Sequence, residues 1–247
     1  TWGESHGRGV GVVIDGCPPM LPLDETTIQN MLDRRKPGKS AAGTARKEPD
    51  RAVILSGVFE GVTTGTPIMI MVENKDARPG AYSPYAELFR PGHGDISYLA
   101  KYGVRDWRRG GRASARETVG RVAAGAVAKA LLEKHGVSVF AYTVELGGVK
   151  AQKTDLAIAF DNILVCPDPE ASEKMEQRLA QVKKQGDSLG GVVEIKASGV
   201  PAGLGNPVFD KLDAELAKAI MSIGAEKGVE IGAGFEAARL LGSQNND

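Results

Sequence analysis

Glycine constrains this chain more than any other feature: 32 of its 247 residues, about 13%, are glycine where a share of roughly 7% is usual. A chain so rich in the one residue without a Cβ spends much of its length in tight turns and close backbone approaches. The glycines punctuate short β-branched runs. Val10–Ile14 is bounded by Asp15-Gly16 and Pro18-Pro19, Ala52 to Phe59 and Pro67 to Val72 end near glycine in the same way, and Gly191 to Gly199 alternates in polarity. All four are expected strands.

Helical spacing is clearest after Ser114. Val119, Val122, Ala123, Ala126, Val127, Ala130 and Leu131 recur at helical intervals and make one small apolar face. Ser114 and Glu117 have the spacing of a capping box, and Gly136 is placed to stop the helix. A shorter helix is expected from Asp24, with Ile28, Met31 and Leu32 on one side, ending before Pro37-Gly38. Two more are expected from Asp168-Pro169 to Gly186, carrying Met175, Leu179 and Val182, and from Leu212 to near Gly228. Strands interspersed with helices, without a regular βα repeat, predict an α+β fold in a single domain spanning 1–247.

Lys plus Arg and Asp plus Glu number 31 each, so the net charge is zero and no global field draws the chain to nucleic acid or to an anionic membrane. Aromatic residues are only 5%, too few for the stacking platforms that single-stranded nucleic acid uses. The apolar runs fall far short of the roughly 20 residues of a membrane span. No secretory leader is read at the start, which is Thr1 rather than Met, so missing N-terminal residues and a cytoplasmic location are expected. Cys17 and Cys166 have no CxxC partner and no nearby His, which predicts two buried thiols and no metal site.

Two basic segments stand out against this neutrality. Arg105, Arg108, Arg109, Arg112, Arg116 and Arg121 fall within 17 residues, opposed only by Asp106 and Glu117, and lead into the capped helix through Gly110-Gly111. Planar guanidiniums, outward-facing glycine amides and a helix start together suit a phosphate; a solvated basic turn is the other reading. The stretch from Arg34 to Lys47 contains no acid and reads either as a phosphate-gripping loop or as a solvated one. Two such segments fit a ligand with two anionic centres, or an anionic substrate beside an anionic cofactor. His6, in Gly3-Glu4-Ser5-His6-Gly7, and His93, in Arg90-Pro91-Gly92-His93-Gly94-Asp95, both lie on turn-rich backbone. Loop imidazoles beside arginine clusters point to acid catalysis on a phosphorylated substrate, since a leaving phosphate needs a proton and positive charge. His135, at a helix end, reads as structural. Gly7-Arg8-Gly9 precedes a strand instead of joining strand to helix, which excludes a dinucleotide fingerprint there.

These segments, with Arg34-Arg35-Lys36-Pro37-Gly38, Lys101-Tyr102-Gly103, Gly110-Gly111-Arg112-Ala113-Ser114-Ala115-Arg116-Glu117-Thr118 and Ser198-Gly199-Val200-Pro201-Ala202-Gly203-Leu204-Gly205, resemble the chorismate synthase family along essentially the whole chain. The resemblance implies a carbon–oxygen lyase: 1,4-anti elimination of phosphate from 5-enolpyruvylshikimate 3-phosphate, giving chorismate in the shikimate pathway of aromatic amino acid biosynthesis. It implies reduced FMN as cofactor, a β-α-β sandwich of antiparallel sheets with helices layered between, and a homotetramer. It implies catalytic roles for His6, as acid to the leaving phosphate, for His93, setting the protonation of reduced flavin, and for Ser5 in a proton relay. Substrate would meet Arg35, Arg46 and Arg116, and FMN would meet Arg112, Ala113, Ser114, Gly224 and Ala225. Some family members reduce their own flavin with NADPH, and others rely on an external flavin reductase. Rival expectations are a non-catalytic phosphate or RNA-binding module and an inactive truncated fragment.

The chain departs from the family pattern in places. Ala113 stands where serine is usual, Arg109 where glycine is frequent, Gly224 where asparagine is frequent and Ala41 where many members carry arginine. The resemblance also implies residues before Thr1, and a C-terminal segment with a Lys-Pro-Thr-Ser-Ser flavin loop and a relay aspartate, beyond Asn245-Asn246-Asp247.

Overall fold

In the computed structural model, which describes residues 1–36, 48–77, 79–108 and 110–245, the glycine-bounded runs form two antiparallel sheets and a hairpin. β1 (Trp2–Gly3), β2 (Gly9–Ile14), β3 (Ala52–Ile54) and β6 (Ile68–Glu73) make the first sheet, in the order β1-β2-β6-β3. β2 and β6 pair along their full length, from Gly9 opposite Glu73 to Ile14 opposite Ile68. The run expected as one strand from Ala52 to Phe59 breaks at Gly57, whose φ of +79° turns the chain; Val58–Phe59 (β4) then pairs with Val62–Thr63 (β5) as a separate hairpin.

One face of this sheet is apolar. Val10, Val12, Ala52, Ile68, Ile70 and Val72 are buried there, against α1 (Glu25–Arg35) and α3 (Thr118–Lys134). Asp24 caps α1 by accepting from the Thr27 N–H at 2.7 Å, and Ile28 and Leu32 are fully buried, each contributing about 1.5–3 kcal/mol by leaving water. On α3, Gly120 is where helix meets sheet: a Cβ there would stand 2.7 Å from the Gly11 carbonyl oxygen. The helix ends as expected at Gly136, φ +77°, with Gly136 N–H bonded to Glu133 O and Val137 N–H to Leu132 O, the paired bonds of a Schellman stop.

The start of α3 differs from expectation. Ser114 Oγ accepts from the Arg116 N–H at 3.3 Å and caps a single 3₁₀ turn, Ala115–Glu117, ahead of the helix. The Glu117 carboxylate does not reach back. It accepts from Thr1 Oγ1 at 2.7 Å and from Arg121 Nε at 2.9 Å, partners on β1's side and on the helix's next turn that outcompete a reciprocal cap.

The second sheet is β8 (Val149–Lys150), β7 (Ser138–Leu146) and β9 (Gly191–Ser198), with β7 central. α4 (Pro169–Lys184) packs beside it, capped by Asp168 and burying Met175 and Val182. The helix pair meets this sheet where the Arg34 guanidinium lies 4.4 Å from the centre of the Phe160 ring, which packs on Phe140 of β7. The architecture is α+β, with antiparallel sheets and helices layered together. β7 carries apolar residues on both faces, so it lacks the alternation that marks β9, and the sequence reading passed over it.

The chain divides into two compact units, Thr1–Val200 and Pro201–Asp247. The second contains a turn closed by mutual backbone bonds between Asn206 and Asp210, then α5 (Leu212–Met221) and a 3₁₀ stretch, Gly234–Arg239. α5 stops at Ser222, short of Gly228, because the Ser222 hydroxyl donates to Ala219 O at 2.6 Å and the backbone enters a turn at Ile223. Among the described residues no helix is long and apolar enough to cross a membrane. Cys17 and Cys166 are buried free thiols.

Candidate active site

The Ser5-His6 segment forms a tight turn between β1 and β2, closed by Gly7 N–H donating to Glu4 O at 3.1 Å. Ser5 is buried and His6 half-buried. The turn is held from the end of β6. There Asn74 Nδ2 donates to Glu4 O at 2.9 Å and to Gly7 O at 3.0 Å, and Asn74 N–H donates to Arg8 O at 3.1 Å.

Arg35 and Arg116, far apart in sequence, converge on Asp50, whose side chain is wholly excluded from solvent. Arg35 Nη1 lies 3.2 Å from Asp50 Oδ2, while Arg116 Nη1 donates to Asp50 Oδ1. Arg35 also donates to Thr118 Oγ1 at 3.0 Å and Ala115 O at 3.3 Å, tying the end of α1 to the start of α3. Arg116 Nε donates to Asn74 Oδ1 at 3.0 Å. Its Nη2 finds no hydrogen-bond acceptor among the described residues; a carboxylate oxygen of Glu48 is 3.9 Å away. The Glu48 carboxylate is itself taken up by the Lys75 and Asp76 N–H groups. A buried guanidinium with an unspent donor is a costly thing to keep unless a ligand uses it.

A cleft opens beside the turn, lined by Glu4, His93, Tyr98, Gly110, Arg112 and Ala113 among others. His93 is exposed in its loop, with Nδ1 2.8 Å from Pro91 O. A carbonyl can only accept, so Nδ1 donates to it. The loop is braced by Asp95, the first residue of α2 (Asp95–Tyr102), which accepts two bonds from the Arg90 guanidinium at 2.9 Å and pairs with Arg105 at 2.8 Å. The Arg90 hydrogen bonds, with help from Arg105, hold the Asp95 carboxyl well below the usual carboxylate range. Arg105 further donates to the carbonyls of Leu88, Tyr85 and Ala86.

Among the described residues the arginine segment is therefore not one anion-facing cluster; Arg109 lies outside them. Arg105 braces the loop and Arg121 pairs with Glu117, while Arg108 lies over the Trp107 ring. Arg112 donates to Gly3 O and, at 2.6 Å, to Thr1 Oγ1. Arg112, Ala113 and Ser114 nonetheless follow Gly110 and Gly111, whose φ values of +77° and +69° turn the backbone beside the cleft. Space next to Gly111 is open, with no atom within 4 Å of where a Cβ would stand. The open backbone beside Gly111 leaves room for an anionic group such as the phosphate of FMN, while the Arg112 guanidinium is engaged by Gly3 O and Thr1 Oγ1 and Ser114 Oγ by the Arg116 N–H.

A family model described as chorismate synthase matches residues 1–247. The chain belongs to the chorismate synthase family. The chorismate synthase of Desulfatibacillum aliphaticivorans is 67% identical over 247 residues, covering all of this chain and 69% of its own length. That of Desulfosudis oleivorans is 68% identical over 248 residues, with 100% and 70% covered. A crystal structure of chorismate synthase superimposes with a TM-score of 0.82 at 38% identity, covering all of this chain and 72% of that one.

Of the residues singled out by resemblance to the chorismate synthase family, Asn74 ties the turn that carries Ser5 and His6 to Arg116, Asp50 ties Arg116 to Arg35, and His93, Arg112 and Ala113 line one cleft whose wall includes Glu4. Arg46 lies outside the described residues. Gly224 and Ala225 are exposed in the second unit, Ala225 with φ +76°. Sequence reading missed Asp50 and Asn74. Asp50 comes three residues after the basic stretch ends at Lys47, and Asn74 follows a β-branched strand at its polar end, so each has a positional signal but no chemical one.

Proposed function

We infer that the protein catalyses the 1,4-anti elimination of phosphate from 5-enolpyruvylshikimate 3-phosphate to chorismate, as a carbon–oxygen lyase of the shikimate pathway. The observation that carries this reading is the family match across all 247 residues, and the site's chemistry agrees with it. In the reaction the allylic C–O bond to phosphate breaks, a ring C–H bond breaks on the opposite face, and a new ring double bond forms.

Arg35, Arg46 and Arg116 hold the substrate's anionic groups. The unspent Nη2 donor of Arg116 is available for an oxygen of the ligand, at a guanidinium already fixed by Asp50 and Asn74 so that little order is lost on binding. His6 gives its proton to the departing phosphate, which raises that group's ability to leave, and Ser5 relays a proton beside it. Arg112, Ala113 and Ser114 would hold reduced FMN, and Gly224 and Ala225, in the second unit, are flavin contacts by family resemblance alone. The chemistry reduced FMN would supply is reversible donation of electron density to the allylic system, with no net redox change. His93, on the wall of the cleft, would set the protonation of the cofactor's edge. The working assembly is a cytoplasmic homotetramer, supplied with reduced flavin by its own NADPH-dependent activity or by an external reductase.

The test is anaerobic chorismate formation, followed by absorbance, from 5-enolpyruvylshikimate 3-phosphate with reduced FMN. Turnover that requires both is expected. A folded protein that bound phosphate ligands but made no chorismate would replace this reading with that of a binding module.

A further inference from the structure

We propose that Asn74 is a positioning residue for the elimination, fixing the Ser5-His6 turn at a set place relative to the Arg35–Arg116 pair; the inference rests on the function proposed above. Asn74 is the first residue past β6, so its backbone is anchored by the best-paired strand of the first sheet. Its head group faces two ways at once. Nδ2 donates to Glu4 O (2.9 Å) and Gly7 O (3.0 Å), the carbonyls on either side of Ser5 and His6. Oδ1 accepts from Arg116 Nε (3.0 Å). Carbonyls cannot donate and a guanidinium cannot accept, so the amide has only one workable orientation, and both its N–H protons and its oxygen are engaged. A single planar group thus sets the distance between the turn that carries the proton donor and the guanidinium that grips the anion.

Proton transfer to a leaving group is steep in distance: displacement by about 1 Å can cost on the order of 10²-fold in rate. The nearly isosteric Asn74→Asp separates the two functions of the amide. A carboxylate oxygen in place of Nδ2 confronts two carbonyl oxygens and repels the turn, whereas the other oxygen still accepts from Arg116.

Two measurements on the intact protein test this, each after a thermal melt shows that the variant is folded. In a double-mutant cycle, Asn74→Asp is expected to lower kcat roughly 10- to 10²-fold in an otherwise unchanged protein, and less than about 3-fold once His6→Ala has removed the donor. Independently of activity, the imidazole NMR signals of His6 are expected to move in Asn74→Asp while those of His93 and His135 stay in place. An equal loss of kcat in both backgrounds, or unmoved His6 signals, overturns the proposal. If the unaltered protein makes no chorismate, the function proposed above has failed, and the NMR arm alone decides whether Asn74 positions His6. Should Asn74→Asp not fold, Asn74→Ser carries the same two readouts.

Discussion

Replacing Arg116 by alanine removes one of the two guanidiniums that, among the described residues, meet the buried Asp50 carboxylate, and with it a side-chain donor to Asn74 Oδ1. Breaking a buried pair leaves an uncompensated charge, so Arg116→Ala should cost on the order of 3 kcal/mol of stability besides weakening substrate binding. A urea denaturation midpoint equal to the parent's would show that Asp50 is satisfied by Arg35 alone. The exposed His93 behaves differently, and His93→Ala should leave the midpoint nearly unchanged. His6→Ala and His93→Ala should each lower turnover by roughly 10- to 10⁴-fold if each moves a proton. A variant with unaltered kcat would remove that histidine from the mechanism. The histidine motifs, Arg35 and Arg116 were legible in the sequence because chemistry selects residue type. Asp50 and Asn74 were not, because their importance lies in which side chains they reach across the fold.

At the scale of an element, α3 carries two glycines with opposite expectations. A Cβ at Gly120 would stand 2.7 Å from the Gly11 carbonyl oxygen, a backbone atom fixed in β2, whereas Gly125 is exposed with no atom within 4 Å of such a Cβ. Gly125→Ala should stabilise by about 0.5–1 kcal/mol through helix propensity. Gly120→Ala gains the same propensity but forces helix and sheet apart, a strain of about 1–3 kcal/mol, and should be destabilising overall. Denaturation curves of the two variants check the pair, and equal effects would mean that α3 does not press on β2. The helix itself, its apolar face and its Gly136 stop could be read from spacing. Its first turn could not, because the partners of Glu117 are Thr1, distant in the chain, and Arg121, which outbids the local cap.

For the whole molecule, acid pH tests how far native carboxylates are held by the fold. Asp95 is held below the usual range first by the Arg90 hydrogen bonds, and Asp168 by backbone N–H groups, those of Gln152 and Ala171 foremost. A depressed value in the folded state gives stability that is fully present above the unfolded carboxylate value, about 3.9, and is lost as pH falls from there through the folded value. The unfolding midpoint should therefore hold between about pH 5 and 7 and drop steadily below about pH 4. Asp95→Asn should be less stable at neutral pH and show a shallower acid decline. An equal slope in parent and variant would mean that Asp95 is not among the groups responsible.

Local pattern in the chain carries the glycine-bounded strands, the helix faces, the starts of α1 and α4 at Asp24 and Asp168, the Gly136 stop, the α+β class, and, through several long motifs, the family with its histidines and arginines. These depend on local periodicity, backbone freedom and residue chemistry, all of which are written in consecutive residues. Long-range contacts alone put β7 at the centre of a sheet, divide one strand into two at Gly57, commit Arg105, Arg112 and Arg116 to partners within the protein, and join the Ser5-His6 turn to Arg116 through Asn74. Hydrogen bonds and ion pairs between residues tens of positions apart depend on where folding brings each group, and no local pattern in the chain encodes that distance.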